Sequence, residues 1–391
     1  MLDILANTRH KVRRVVVAES RAIYGEGKYH CPKCGDVYPL ERNDNDMSEG
    51  DYECKCPKCG GEVKLIATTE ESAIHPSSVY GITKQVEYIN KIVSKMKHAY
   101  LIVAHSEFKV LEVLIEILDY PDNDIYIHID KKVDYKLQYT PCHSHIHIVP
   151  DNLRIDVRWG DCSIIWAELA LYNMAYHSST EYGYYHLISG TELPIKSQSF
   201  IQVFFEKNKG LEFIGFMHNP WRSKTKTMYY HIFTKNLQGK KFSDKMEQMI
   251  HWTFTQLQKP FPIIRSKEHL ECLYKGCTWS SLTHEAVSYI LSHEQWIRKR
   301  FRWTMATDEI YKHTLLRNSD FRNKFFCLED EYKGCMLLQD WKRWNGKSYV
   351  WTMNEWEEIM NSDKLFARKF SEKHMDIVLK LKEELKKQDA L

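Results

Sequence analysis

The chain has 391 residues and a net charge of only +3, so its charge gives no argument for a nucleic-acid partner. A content of 43% hydrophobic and 27% charged residues is that of a globular protein, long enough for two domains. No apolar run reaches the ~18 residues that cross a bilayer, and Met1–His10 has no signal-peptide pattern. We therefore expect a cytoplasmic protein that is either free or peripherally associated with the inner face of the membrane.

The first part of the chain, residues 1–96, differs in pattern from the rest. A short apolar strand is predicted at Val15–Ala18 and a helix from Ser78 to about Lys95. Between them lies a charged insert in which five of the 11 cysteines are clustered. No internal repeat is evident, and we place the domain boundary between residues 96 and 97.

The insert, at about residues 31–59, predicts a zinc ribbon. It contains two Cys-Pro-Lys-Cys knuckles, Cys31–Cys34 and Cys56–Cys59, separated by 21 residues. Each knuckle turns its two thiolates toward one tetrahedral ion, so four cysteines leave no open coordination position and the zinc would be structural. A disulfide is the weaker alternative in a chain without an export signal. Cys54 is a spare thiol at the wrong spacing from Cys59.

Residues on either side of the insert carry a different pattern. Tyr80 and Lys84 are four apart on the predicted helix, where the lysine charge lowers the pKa of a phenol, and Ser20 follows the first strand. This trio resembles the catalytic residues of nucleotide-sugar epimerases of the extended short-chain dehydrogenase group. The Gly-rich dinucleotide loop that should precede it is missing. We expect residues 1–96 to be a truncated epimerase remnant that does not contribute catalysis.

From residue 97 the pattern predicts an α/β domain. Tyr100–Ala104 is a buried strand, Ser106 is a candidate cap for a following helix, and Ile125–Asp130 is a second strand. In such a parallel unit ligands bind beyond the carboxyl ends of the strands, where Val103 and Asp130 lie. Further elements are predicted at His145–Val149, Ser163–Tyr176 (a helix), Tyr184–Ile188 and Phe213–Phe216.

A late acidic pair, Asp308–Glu309, opens the polar segment Thr307–Thr314. A pair of carboxylates at a helix start is more often a cap than a catalyst. In a protein with a nucleotide-binding strand end it also suits the deprotonation of an acceptor.

Seven sequence blocks in this second part point to one family when taken together. They are Ala99–His105, Ile127–Lys131, Trp159–Gly160, Ser189–Lys196, Gly276–Leu282, Thr307–Glu309 and Leu365–Phe370. Over about residues 98–375 they resemble the Core-2/I-branching β-1,6-N-acetylglucosaminyltransferases, a family that includes the peptide O-xylosyltransferases. The resemblance implies a GT-A-type, Rossmann-like domain and an inverting transferase that uses a UDP-sugar without a catalytic metal.

The same resemblance assigns roles to individual residues. Glu309 is expected to be the general base, and Val103 and Asp130 to contact the uridine. Lys369 and Lys347 are expected to hold the pyrophosphate, because fixed cations can replace a metal at that position. Two further residues are candidates on the acceptor side: Trp279, which could equally be a core residue, and Arg222.

Several alternatives remain open at these positions. Arg343 competes with Lys347 as the second cation, and His105 and His128 are expected to be packing or strand-end residues. The triplets Asp44–Asp46 and Asp122–Asp124 are predicted turns. A metal-dependent transferase needs its Asp-x-Asp after a strand, whereas one triplet precedes its strand and the other lies in the cysteine insert.

The predicted activity is transfer of GlcNAc or a related sugar from a UDP-sugar to a hydroxyl of a glycan or lipid-linked glycan, in surface polysaccharide assembly. One alternative is a UDP-xylose-dependent O-xylosyltransferase. Another is a non-catalytic zinc-ribbon recruitment module with an inactive transferase half, against which intact Glu309, Asp130 and Lys369 argue. The missing Gly-rich loop argues against a working epimerase.

Overall fold

The computed structural model describes residues 24–39, 42, 44–67, 96–217, 226–260, 273–344 and 346–390. The chain divides into two compact units, Met1–Ser94 and Lys95–Leu391. The predicted site residues that lie outside the described residues are Ser20, Tyr80, Lys84 and Arg222. The predicted strand and helix that flank the cysteine insert lie outside them too. None of the helices within the described part has the length and hydropathy of a membrane span.

The described part of the first unit is organised by a small antiparallel sheet. Its strands are β1 (Tyr29–Cys31), β2 (Gly35–Val37) and β3 (Lys64–Leu65), in the order β2-β1-β3. Helix α1 (Asp44–Ser48) covers the first Asp-x-Asp triplet, so the turn predicted there is wrong. With strands of two or three residues the buried core is small, and such a core is usually stabilised by a cross-link or a metal.

The second unit is built on a six-stranded mixed sheet. The strands of this unit are β4 (His98–Ala104), β5 (Asn123–Ile129), β6 (His145–Ile148), β7 (Tyr184–Ser189), β8 (Glu192–Pro194), β9 (Phe213–Ile214), β10 (Ser280–Thr283), β11 (Leu337–Gln339) and β12 (Phe366–Arg368). The main sheet has the order β6-β5-β4-β7-β10-β9, with β4 parallel to β5 and β7, and β10 antiparallel to its neighbours. A second sheet has the order β11-β12-β8.

Helices pack around these sheets. Those of the second unit are α2 (Phe108–Leu118), α3 (Ser163–Tyr176), α4 (Gln198–Lys207), α5 (Phe242–Gln258), α6 (His284–Ser292), α7 (Glu294–Phe301), α8 (Tyr311–Arg317), α9 (Glu331–Gly334), α10 (Trp356–Met360) and α11 (Met375–Ala390). Every residue of β4 and β5 is buried, as expected for parallel strands covered on both faces. Helix α3 has the predicted bounds. The mixed α/β architecture with a parallel core agrees with a GT-A-like transferase domain.

Two local predictions fail at the ends of elements. Ser106 does not cap α2, because the N-cap residue is Glu107, whose backbone has φ 57°. The Glu107 carboxylate accepts hydrogen bonds from Ser371 Oγ (3.0 Å) and the Glu372 backbone N–H, residues far away in the sequence. In the second Asp-x-Asp triplet only the first aspartate lies in a turn, since β5 begins at the next residue.

Candidate active site

A cavity of about 500 Å³ opens at the carboxyl ends of β4, β5 and β7. The chain runs outward from β4 through β5 and β6 and then returns on the other side of β4 as β7. A parallel sheet leaves a ligand crevice at such a point. Gly190, just after β7, permits the close approach of the two strand ends, because a Cβ there would lie 3.1 Å from the Cβ of Ala104.

This one cavity brings together five of the seven residues to which the sequence analysis gave a role in sugar transfer. Val103, Asp130, Trp279, Glu309 and Lys369 all line it.

Lys347 is not among the lining residues. It lies on an exposed turn, where its backbone N–H donates to the Trp344 carbonyl (3.1 Å). Its competitor Arg343 is bound instead to Asp340 (3.2 Å) and Glu358 (2.6 Å), and it does not line the cavity either. Neither Lys347 nor Arg343 therefore contributes positive charge to the lining of the cavity.

The acidic pair, Asp308 and Glu309, lies on the turn that precedes α8, and its two carboxylates have different partners. Asp308 Oδ2 accepts a hydrogen bond from Thr278 Oγ1 (2.9 Å), whereas Glu309 Oε2 pairs with Lys275 Nζ (2.9 Å). Burial, together with the neighbouring charge of Glu309, raises the pKa of Asp308. Asp308 is thus held locally, while the Glu309 side chain, 37% exposed, remains accessible from the cavity.

Two further titratable groups, Lys226 and Glu331, lie close enough to Glu309 for its charge to affect their pKa values. Lys226 lines the cavity, and burial together with the charge of Lys275 lowers the pKa of its ammonium group. Burial and the charge of Glu309 raise the pKa of Glu331, at the start of α9, to about 7. Lys226 is four residues from Arg222, in the segment that the sequence placed on the acceptor side, whereas no local sequence pattern joins Glu331 to the acidic pair.

A buried ion pair holds the helix that follows the acidic pair. Lys312 Nζ and the Tyr311 hydroxyl both bond to Glu168 Oε2 on α3, at 2.9 and 2.6 Å. Lys312 and Glu168 are completely buried. Removing one partner of such a pair would leave an uncompensated charge in the interior. The contact therefore fixes the start of α8 against α3, and with it the turn that carries Glu309.

A basic pair, Arg368 and Lys369, lines the cavity at the end of β12. Arg368 Nε lies 3.4 Å from Glu192 Oε1, and the guanidinium lies over the Trp279 ring at 5.2 Å. Complete burial raises the pKa of Glu192 to about 8, although the charge of Arg368 opposes the shift. Lys369 is half-buried and forms no ion pair within the described part of the chain. Arg368 directly precedes Lys369 and lines the same cavity, although sequence reasoning gave it no role.

The acid at the end of β5 is already compensated. Asp130 is almost fully buried and its carboxylate pairs with Lys132 Nζ (3.0 Å), which also contacts Asp156 (2.9 Å). His128 accepts a hydrogen bond from the Ile155 backbone N–H (2.9 Å), and burial lowers the pKa of its ring to about 4. His128 is therefore a packing residue of the strand, whereas Lys132 is a cavity cation without a role in the sequence analysis.

Aromatic side chains add a surface suited to sugar rings. Trp279 is 9% exposed and lines the cavity, together with the more exposed Trp159 and Trp341. The Ala306 backbone N–H donates to the Gly160 carbonyl (2.9 Å), which joins the Trp159 loop to the segment before the acidic pair. Gly160 has φ 78°, a backbone conformation that favours glycine.

The four cysteines of the two knuckles form a cluster in the first unit. The sulfur atoms of Cys31, Cys34, Cys56 and Cys59 all lie within 4.8 Å of one another, and those of Cys31 and Cys59 are 3.7 Å apart. Tetrahedral zinc with Zn–S bonds of about 2.3 Å places its sulfurs about 3.8 Å apart. Cys54 contacts Glu26 through its thiol (3.8 Å). The cluster is compatible with a structural zinc ion.

The α/β fold places a charged cavity at the switch point of its parallel strands, where such folds bind their ligands. Residues 98–363 match the family model described as Core-2/I-Branching enzyme. Because the match covers more than half of the chain, the chain belongs to the Core-2/I-branching family of glycosyltransferases, which use a nucleotide-sugar donor and an acceptor. No curated protein matches the chain. The matched region excludes the cysteine cluster and ends before the basic pair.

Proposed function

We propose that the chain is an inverting, metal-independent glycosyltransferase that moves GlcNAc or a related sugar from a UDP-sugar to a hydroxyl of a glycan acceptor. The observation that carries the proposal is one cavity containing an accessible carboxylate, Glu309, and a half-buried lysine, Lys369, for which the described residues provide no counter-ion. Transfer with inversion requires a base for the acceptor and positive charge for the departing diphosphate.

Glu309 is the proposed base. Of the two adjacent carboxylates, Asp308 accepts a hydrogen bond from the Thr278 hydroxyl, whereas Glu309 pairs with Lys275 and lies near Lys226. An acceptor hydroxyl that reaches Glu309 would transfer its proton to the carboxylate as the oxygen attacks the anomeric carbon. Asp308 is proposed to hold the turn through Thr278 and not to exchange a proton with the acceptor.

Lys369 and Arg368 are the proposed stabilisers of the UDP leaving group. Negative charge grows on the diphosphate as the glycosidic bond breaks, and ammonium and guanidinium groups can balance that charge. Metal independence is supported by the position of the second Asp-x-Asp triplet, Asp122–Asp124, at the amino end of β5, the edge opposite the cavity. Val103 and Asp130 are proposed to contact the uridine, with Lys132 as the counter-ion of Asp130.

The experiment that tests the function is a panel of UDP-sugars offered to the purified full chain, with sugar hydrolysis and transfer measured in EDTA and in manganese. We expect turnover of UDP-GlcNAc or a related UDP-hexosamine in EDTA. Preferred use of UDP-xylose would identify a xylosyltransferase instead. Turnover that vanished in EDTA and returned with manganese would refute metal independence, and no turnover of any UDP-sugar would favour a recruitment module.

The cysteine cluster is proposed to hold one zinc ion that stabilises the first unit and takes no part in transfer. The proposal is supported by the all-thiolate donor set and by the small core around it. Elemental analysis should find one zinc per chain, lost when Cys31, Cys34, Cys56 and Cys59 are changed to Ser. Zinc that persisted in that variant would contradict the assignment.

The residues around the cluster are proposed to be the remnant of an epimerase. A Tyr80→Phe variant that lost sugar transfer would contradict this.

The enzyme is proposed to act in the cytoplasm on surface polysaccharide precursors.

A further inference from the structure

Helix α5 has its polar side turned toward the protein. Within this helix the one buried side chain is that of Gln258, which exchanges two hydrogen bonds of 2.9 Å with the backbone of Tyr230. Gln248 and His251 also bond to backbone carbonyls of the segment 232–239, at 2.6–3.0 Å. Hydrogen bonds therefore attach this side of the helix to the described segment 230–239.

The opposite side of α5 is apolar and open to solvent. Six large side chains between 42% and 79% exposed form this apolar face: Phe242, Met246, Met249, Ile250, Trp252 and Leu257. At 3.6 residues per turn they fall within an arc of about 160°. Helix α11 shows the ordinary arrangement, since its buried positions are apolar: Ile377, Val378, Leu381 and Leu385. Lys245, Thr253 and Gln256 share this arc, so the face is largely but not wholly apolar. A large apolar patch on the outside of a domain marks a surface that binds a partner.

The charges around the apolar face indicate which class of partner it binds. Lys240, Lys241, Lys245 and Lys259 are exposed, and none of them forms an ion pair within the described part of the chain. The acids of the helix are engaged elsewhere: Asp244 accepts a hydrogen bond from the Lys241 backbone N–H (3.0 Å), and Glu247 accepts one from the Asn236 side chain (2.8 Å). An apolar face with a basic rim complements the surface of an anionic lipid bilayer.

The amino end of α5 also lies near the candidate active site. A smaller cavity is lined by Lys241 and Asp244 together with Lys132 and Trp159, and these last two also line the active-site cavity. We infer that α5 docks the enzyme on an anionic membrane surface and so presents the cavity to acceptors carried by lipids. The benefit to catalysis rests on the proposed function, whereas the docking itself does not.

The test is co-sedimentation of the full chain with vesicles, which needs no sugar transfer. Vesicles of phosphatidylcholine mixed with phosphatidylglycerol should bind the protein, and phosphatidylcholine alone should bind it at least tenfold more weakly. The triple change Met249→Ser, Trp252→Ser and Leu257→Ser should weaken binding at least about tenfold, because it removes buried hydrocarbon. The triple change Lys240→Gln, Lys241→Gln and Lys245→Gln should weaken binding to the anionic vesicles roughly 100-fold.

Matched controls change exposed residues elsewhere. Phe200→Ser with Leu379→Ser, and Lys373→Gln with Lys380→Gln and Lys387→Gln, should bind as the parent does. Circular dichroism and transfer to a soluble acceptor should be unchanged in the α5 variants. Equal binding by α5 and control variants would overturn the inference, and so would a dimer in solution that the serine variant dissociates. An inactive chain that still binds vesicles would contradict only the proposed function.

Discussion

The acidic pair and the basic pair of the cavity are arranged alike but carry opposite charges. In each pair the first residue is held by neighbours: Asp308 by Thr278, and Arg368 by Glu192 and Trp279. All four residues line the cavity, but the second residues of the two pairs are not equivalent. Glu309 already has a counter-ion in Lys275, whereas Lys369 has none within the described part of the chain.

This difference indicates that the two pairs have separate roles, proton transfer for the acidic pair and diphosphate binding for the basic pair. A carboxylate with a resident counter-ion is kept in place between turnovers, and an incoming hydroxyl only has to reach it. A half-buried ammonium without a partner carries an uncompensated charge, so an anionic ligand gains most by binding beside it. Proton transfer and diphosphate binding should therefore be separable by mutation.

The largest effect is expected for Glu309→Gln. Loss of a general base typically lowers the rate about 10²–10⁴-fold, while the amide keeps the size of the side chain. We expect kcat to fall by that factor and the affinity for UDP to stay within a few fold, as measured by steady-state kinetics and by calorimetry. A variant with most of its turnover intact would remove the base assignment.

A smaller effect, on donor binding and not on proton transfer, is expected for Lys369→Ala. Hydrogen bonds to charged groups contribute about 1.5–3 kcal/mol, which corresponds to roughly 10–150-fold in UDP affinity. The control is Lys347→Ala, which removes an exposed lysine outside the cavity and should leave UDP binding unchanged. If the two alanine variants bound UDP equally well, the basic pair would not be the diphosphate site.

The pH dependence of donor binding should report on Glu192. Its pKa is raised to about 8 by burial, so the carboxyl is neutral below that pH and leaves the charge of Arg368 to the ligand. Above pH 8 the carboxylate competes for Arg368, and we expect UDP affinity to fall several-fold. Glu192→Gln should abolish this step in a binding titration. A wild-type profile that stayed flat from pH 7 to 9 would contradict the assignment.

The same group affects stability. An unfolded glutamate ionises near pH 4.3, so between about pH 4.3 and 8 the folded chain binds more protons than the unfolded chain. The contribution of Glu192 to the free energy of unfolding is therefore fully present below pH 4.3. It is lost as the pH rises toward 8.

The smallest effect on turnover is expected for Asp308→Asn. The amide oxygen can still accept the hydrogen bond from Thr278, so kcat should fall less than about tenfold. The raised pKa of Asp308 means that its ionised form is disfavoured in the fold, and the neutral amide should raise Tm slightly at neutral pH. A loss of activity as large as that of Glu309→Gln would erase the distinction between the two acids.

Sequence patterns predicted the parts of this molecule that depend on local order. The apolar runs located β4 and β5, and α3 was predicted from end to end. The cap of α2 was mispredicted, because the Glu107 carboxylate is used by a segment more than 260 residues away. Among the cations that line the cavity, Lys369 was predicted, whereas Arg368 was not, because its position depends on the pairing of β12 with β8. The resemblance suggested Lys347, which lies on an exposed turn and does not line the cavity.

The buried pair of Glu168 and Lys312 has a consequence for how this enzyme can vary. Losing one charge should cost about 3–5 kcal/mol, whereas replacing both by apolar residues of similar volume is often neutral. The two positions, 144 residues apart, are therefore expected to change together or not at all. A library that randomises α3 alone would reject most substitutions at residue 168, and paired randomisation would recover them. Variation in α3 is thus coupled to variation in the helix that follows the acidic pair.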